Sequence, residues 1–246
     1  MANWNDPQPR NPGFGASPSL NGAAIGATYD QGLRRHMLSI YNYMASGVLL
    51  SGIVALLFAV SGMAAQVMVT PLRWVIALAP LGFVFAMSFG VQRMKTSTLQ
   101  LLFWLFSVAM GLSLSAIFLV YTGPSIATTF FATAAAFAGL SLVGYTTKRD
   151  LSAMGSFLIM GVVGILVAML LNMWLQSNGL ALAISILGVL IFAGLTAWDT
   201  QRLKNEYHQV AGTDWAGKAV VMGALSLYLD FINMFQFLLS FLGERR

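Results

Sequence analysis

The sequence predicts an all-α integral membrane protein with seven transmembrane helices, and three observations carry that prediction. Hydrophobic residues make up 58% of the 246 and charged residues only 9%, whereas about a quarter of an ordinary soluble domain is charged. The mean hydropathy is +0.76. Apolar runs of spanning length recur at about 37–60, 74–92, 98–120, 125–145, 153–175, 180–199 and 219–242, each near the roughly 20 residues that a bilayer core requires.

Taken in order, residues 1–32 read as a disordered cytoplasmic tail and residues 33–246 as the seven-helix domain. Four of the seven prolines fall in the first 30 residues, among much Gly, Asn and Ser, which is too little apolar material to offset the entropy of ordering. No charged n-region leads into an apolar core before residue 37, so the first span itself is expected to direct insertion. The later breaks carry turn or charge signals: "QRMKTS", "YTGPS", "TTKRD", "LQSNG" and a long "TQRLKNEYHQVAGTDWAGK". Pro80 inside the second span reads as a local kink. Small residues spaced by four (Gly47 and Ser51; Ser107, Gly111 and Ser115; Gly164 and Ala168) read as helix-packing seams.

The net charge of +5 does not indicate nucleic acid, because the thirteen Lys and Arg are scattered between apolar runs. Ten of them fall on the N-terminal side of the spans and three (Arg73, Arg245, Arg246) on the other. That asymmetry predicts a cytoplasmic N-terminus and an external C-terminus. The basic end "GERR" runs against it, which leaves a re-entrant last segment as the alternative. With no cysteine, and with His36 and His208 as the only histidines, no thiolate or histidine metal site and no cofactor is expected.

Six of the eight acidic residues fall in tails or loops. The other two are Asp199, at the end of the sixth apolar run, and Asp230, in the middle of the seventh within "LSLYLDFINMFQFLLSF". A carboxylate at a helix centre in lipid costs on the order of 2.5–3.5 kcal/mol, so each needs a partner or a task. On a helix, Ser226, Asp230 and Asn233 share a stripe with Ser240, and that stripe should face the bundle interior. If Asp199 and Asp230 meet, they repel as carboxylates and share a proton, which makes them a candidate pH sensor. The bland alternative for Asp199 is an edge residue paired with Arg202 at i+3 or capping a short loop helix. Arg93 is the candidate counter-cation for the pair, or else a membrane-surface anchor.

The pieces "WDTQRL", "LYLDFINMF" and "GLSLSAIF" resemble the Bax-inhibitor-one family, also called the transmembrane Bax inhibitor motif family, in its bacterial branch. The likeness covers about residues 33–243. It implies a bacterial inner membrane location, a seven-helix fold with the last helix central, and a pH-sensitive calcium leak gated by two aspartates, here Asp199 and Asp230. With the third-span glycine matched to Gly111, it implies a latching arginine at Arg93. The second span here holds Gly82 and no carboxylate, which removes one acidic step that some members have. Ser226 and Asn233 would support the site, and calcium would be the transported ion, since a hard cation suits oxygen donors. Two other function classes compete. One is an intramembrane aspartyl protease, disfavoured because Leu227, Tyr228 and Leu229, not a "GxGD" glycine, precede Asp230. The other is a regulator that binds membrane proteases or stress-response proteins without transport of its own.

Overall fold

The computed structural model describes the backbone of residues 18–246 and the side chains of 30–246. Nine helices follow one another among these residues: α1 (Pro18–Val60), α2 (Met63–Met68), α3 (Leu72–Gly90), α4 (Thr96–Leu114), α5 (Ile117–Val120), α6 (Gly123–Thr146), α7 (Ser152–Leu175), α8 (Asn178–Val210) and α9 (Ala216–Leu242). Seven stretches are long and apolar enough to cross a membrane: Asp30–Val60, Leu72–Gly90, Thr96–Val120, Gly123–Thr146, Ser152–Leu175, Asn178–Val210 and Ala216–Leu242. The chain is therefore an all-α, multi-pass membrane protein, as its apolar runs predict. The expected tail lies outside the described residues up to position 17; from Pro18 on, its remainder is the start of α1.

Two boundaries differ from the sequence expectation. The third span is interrupted after Leu114, where the Ser115 amide is shared between the carbonyls of Gly111 (3.1 Å) and Leu112 (3.3 Å) and the chain restarts as α5. The sixth helix does not stop at Asp199 but runs to Val210. Its extension looks like a charged loop, yet Leu203, Tyr207 and Val210 fall on one helical face. Leu203 (2% exposed) and Val210 (6%) are buried, and Leu203 rests over Gly223 beside Ile40. The helix ends only where Gly212 takes a φ of +75°, a left-handed turn open to glycine.

The last helix is the centre of the bundle. It packs against α1, α4, α6 and α8, whereas α3 is carried mainly on α4 and α7 on α8. Half of its spanning window is buried, against 11% for α3 and 17% for α7. Tyr228, fully buried, fixes it in place. The Ser51 hydroxyl has one proton to give, to the carbonyl of Gly47 (2.9 Å) or Ser107 (2.6 Å). That leaves the Tyr228 hydroxyl to donate to Ser51 Oγ at 2.6 Å. One cluster thus ties α1, α4 and α9, walled by the rings of Phe103 and Phe106.

Two of the three small-residue seams are the α1–α4 contact itself: a Cβ on Gly111 would sit 2.7 Å from the Ser51 carbonyl oxygen, and one on Gly47 2.8 Å from the Phe103 ring. The third is different. A Cβ on Gly164 would meet nothing within 4 Å, because Gly164 lies on the exposed face of α7.

At the far end of α9 the last residues turn back as an extended strip. Tyr121 and Arg245 form an antiparallel bridge, the Thr122 amide donates to Glu244 O at 3.0 Å and the Arg246 amide to Val120 O at 2.9 Å. α9 therefore crosses the whole bundle and ends beside the α5–α6 connection, which excludes the re-entrant alternative.

Candidate functional site

Asp199 and Asp230 come together on the seam between α8 and α9, which pack against each other more extensively than any other two helices. They are 6% and 5% exposed, and their carboxyl groups lie within hydrogen-bonding reach of each other. A hydrogen bond between two carboxyls requires one of them to carry its proton. The polar stripe of α9 faces α8 along its length: Ser226 reaches Arg202, Asp230 reaches Asp199, and Ser240 accepts from Ser185 Oγ at 3.1 Å. Asn233 turns back on its own helix, where its amide donates to Leu229 O at 2.8 Å.

The cation beside the pair is Arg202. Its Nη2 stands 2.9 Å from Asp199 Oδ1 and donates to Ser226 Oγ at 3.1 Å, while the guanidinium lies 4.9 Å from the centre of the Trp198 ring. Its side chain is 43% exposed and that of Asp199 only 9%, so the arginine stands between the outside of the bundle and the buried acids. The ion pair is not aligned as a hydrogen bond. Asp199 Oδ1 is consequently buried without a hydrogen-bond donor, and so is Asp230 Oδ2 on the other acid.

Arg93 is not part of this cluster. It lies exposed in the turn after α3 and forms no ion pair among the described residues. The turn is held to α9 by Lys218, whose Nζ donates to Val91 O at 3.0 Å. The Asp199–Arg202 spacing of three was visible in the sequence, but as an alternative to the meeting with Asp230. The helix geometry allows both at once, because Asp199 is inside a continuous helix and not at its end.

The neighbours of Asp199 hold its helix in position. Thr200 Oγ1 and Ser141 Oγ of α6 are 3.0 Å apart. A Cβ on Gly144 would collide with the Ala197 carbonyl, so α6 and α8 meet backbone to backbone. Gln201 is a clamp that sequence reasoning passed over: its Nε2 donates to Arg149 O (2.7 Å) and its Oε1 accepts from the Leu151 amide (2.9 Å). A glutamine two positions after a candidate acid was the only signal. In the same connection Asp150 accepts the Ser152 amide at 2.9 Å, and hydrogen bonds from Ser152 hold its carboxyl below the ordinary range.

Beyond Arg202 opens a polar cleft of about 390 Å³ lined by Ser152, Gln201, Asn205, Glu206 and Gln209. One turn from Asp230 in the opposite direction, at Asn233, begins a cavity of about 490 Å³ between α7, α8 and α9, where Ser185, Gln236 and Ser240 supply polar groups. Among the described residues no three His, Cys, Asp or Glu side chains gather in a metal-binding group.

The family model described as inhibitor of apoptosis-promoting Bax1 matches residues 33–246. The chain belongs to this Bax inhibitor-1 family. Its relatives in the family span nearly the same length. A protein of Caulobacter vibrioides is 49% identical over 230 residues, covering 88% of this chain and 91% of the relative. One of Rickettsia prowazekii is 46% identical over 221 residues, 89% and 93%. The inner membrane protein YbhL of Escherichia coli is 44% identical over 219 residues, 87% and 94%. The pieces that carry the resemblance, "WDTQRL" and "LYLDFINMF", are the segments that build the α8–α9 site of this family member.

Proposed function

We propose that this Bax inhibitor-1 family member is a cation leak pathway of the bacterial inner membrane, gated by the protonation of the Asp199–Asp230 pair and by the position of Arg202. One observation carries the reading: Asp230 Oδ2 is buried without a hydrogen-bond donor, and Asp199 Oδ1 has only the misaligned ion pair with Arg202. Such atoms are costly unless a proton or cation takes them up at some stage. The pair also stands between a polar cleft and a second cavity, and its guanidinium reaches toward the surface. Arg202 occupies the place of a cation and has to shift for one to pass.

Calcium is the cation proposed, on the resemblance. Its six to eight oxygen ligands exceed what two carboxyls offer, so the ion would keep most of its water beside the pair. The enzyme reading draws no support from the packing just before Asp230, where Leu227 and Tyr228 are fully buried. The deciding experiment is calcium flux into liposomes holding the pure protein, measured from about pH 6 to 8, on either side of neutrality. Flux that changes with pH and depends on both aspartates supports the proposal. A well-inserted protein that passes no ion favours instead a regulator acting on membrane proteases or stress proteins.

A further inference from the structure

We infer that the groove between α1 and α6 binds one anionic glycerophospholipid, with an acyl chain in the groove and the phosphate at its basic rim. The inference is independent of the leak reading. α1 and α6 both pack on α8 and α9 but scarcely on each other, and the seam left between them is an open, almost wholly apolar groove of about 590 Å³. Its floor is firm, since Phe137 stands edge-on to Phe231 of α9 with ring centres 5.6 Å apart.

Depth selects the occupant. The groove descends along α1 from Arg34 to Ala45, about 16 Å at 1.5 Å per residue. One leaflet of the hydrocarbon core is about 15 Å thick. A single acyl chain lying beside the protein fills that length, and a transmembrane helix of a partner would not end where the groove does.

The rim selects the headgroup. Arg34 is exposed there and forms no ion pair among the described residues. At the Tyr145 end of the groove, Lys204 of α8, which is not itself a lining residue, lies 5.0 Å from the centre of the Tyr145 ring and donates to the Tyr145 carbonyl at 2.8 Å, which leaves two further N–H groups on its ammonium. The side chains of Tyr41 and Tyr145 line the same groove and bring phenol hydroxyls that suit phosphate or glycerol oxygens. No carboxylate lines the groove. Arg34 and the Tyr145 hydroxyl at the top of an acyl-length channel, with Lys204 beside Tyr145 and the Tyr41 hydroxyl further down α1, are complementary to a phosphodiester carrying net negative charge, and the cations repel the ammonium of a zwitterionic lipid.

The test takes the full-length protein from bilayers of equal phosphatidylglycerol and phosphatidylethanolamine into mild detergent and reads the lipids that stay bound by native mass spectrometry. The wild type is expected to retain one phosphatidylglycerol in preference to phosphatidylethanolamine, by about fivefold for each basic residue engaged. Arg34→Gln combined with Lys204→Gln should bring the ratio to about one, while Arg34→Lys with Lys204→Arg keeps the preference. Ala138→Trp, on the exposed wall of the groove, should displace the bound lipid whatever its head. Equal retention of the two lipids by the wild type, or wild-type retention in the charge-neutral and groove-filled variants, would overturn the inference. Flux is not read, so the outcome does not depend on whether the protein conducts.

Discussion

At the scale of single residues, the proposal predicts that Asp199 and Asp230, whose carboxyls lie within hydrogen-bonding reach of each other, act together and not as independent sites. Asp199→Asn and Asp230→Asn are each expected to flatten the pH dependence of calcium flux, and the double variant to add little, because either change removes the carboxyl with which the other shares its proton. Single variants that keep the wild-type profile would show two independent acids. Arg202→Ala should raise resting flux, about tenfold for each 1.4 kcal/mol of lost hold, and more than Arg93→Ala does. Arg202→Lys should raise it less, since an ammonium can replace the charge but not the flat contact with Trp198. A larger effect from Arg93→Ala, in inserted protein of both kinds, would return the latch to the position that the resemblance implies. Asp150 supplies the control. Its hydrogen bonds from Ser152 lower its titration, so what its charge contributes is present above the ordinary value of 3.8 and fades only as pH falls below it. Asp150→Asn should therefore leave the profile between about pH 6 and 8 unmoved.

At the scale of helices, stability rests on how closely backbones approach, and glycines inside the spans differ in this respect. Gly144→Ala is expected to lower thermal stability in detergent by about 1–3 kcal/mol, because the added methyl meets the Ala197 carbonyl and one helix must move off the other. Gly164→Ala should change it by less than about 0.5 kcal/mol, since nothing lies within 4 Å. Equal melting shifts in the two variants would contradict this packing. The spans themselves were legible in the sequence because lipid imposes a length and a composition on every one of them. The extension of α8 to Val210 was not, since outside the lipid a helix needs only a narrow apolar stripe, and Leu203, Tyr207 and Val210 are diluted among eight polar neighbours. The site was half legible for a related reason. Periodicity showed that Asp230 faces inward with Ser226, but which cation stands beside the pair depends on the rotation and depth of two helices relative to each other. A string of residues does not carry that, and so Arg93 was the expectation where Arg202 is found.

At the scale of the whole molecule, an odd number of spans and the complete crossing of α9 put the two ends of the domain at opposite faces of the bundle. The ten-to-three division of basic residues then predicts that the N-terminus faces the cytoplasm. Reporter fusions at the two ends should respond on opposite sides of the membrane, and activity of both on one side would contradict the crossing of α9. On the orientation predicted from the charge division, the polar cleft next to Arg202 would face the cytoplasm.

The burial of α9 also bears on how the protein is made. This helix, half of whose window is enclosed, is the last of the seven to leave the ribosome. Until it arrives, α1, α4, α6 and α8 stand in the bilayer with the faces meant for it open to lipid, and Ser51 has no tyrosine hydroxyl to meet. Insertion can proceed span by span, but assembly has to wait for residues 216–242. The acidic pair does not exist before that moment either, because Asp199 enters the membrane with Arg202 of its own helix but ahead of Asp230. A ribosome that stalls after the sixth span therefore leaves behind an inserted polypeptide whose Asp199 lacks Asp230 and whose centre is unfilled, a species that membrane quality control has physical grounds to recognise.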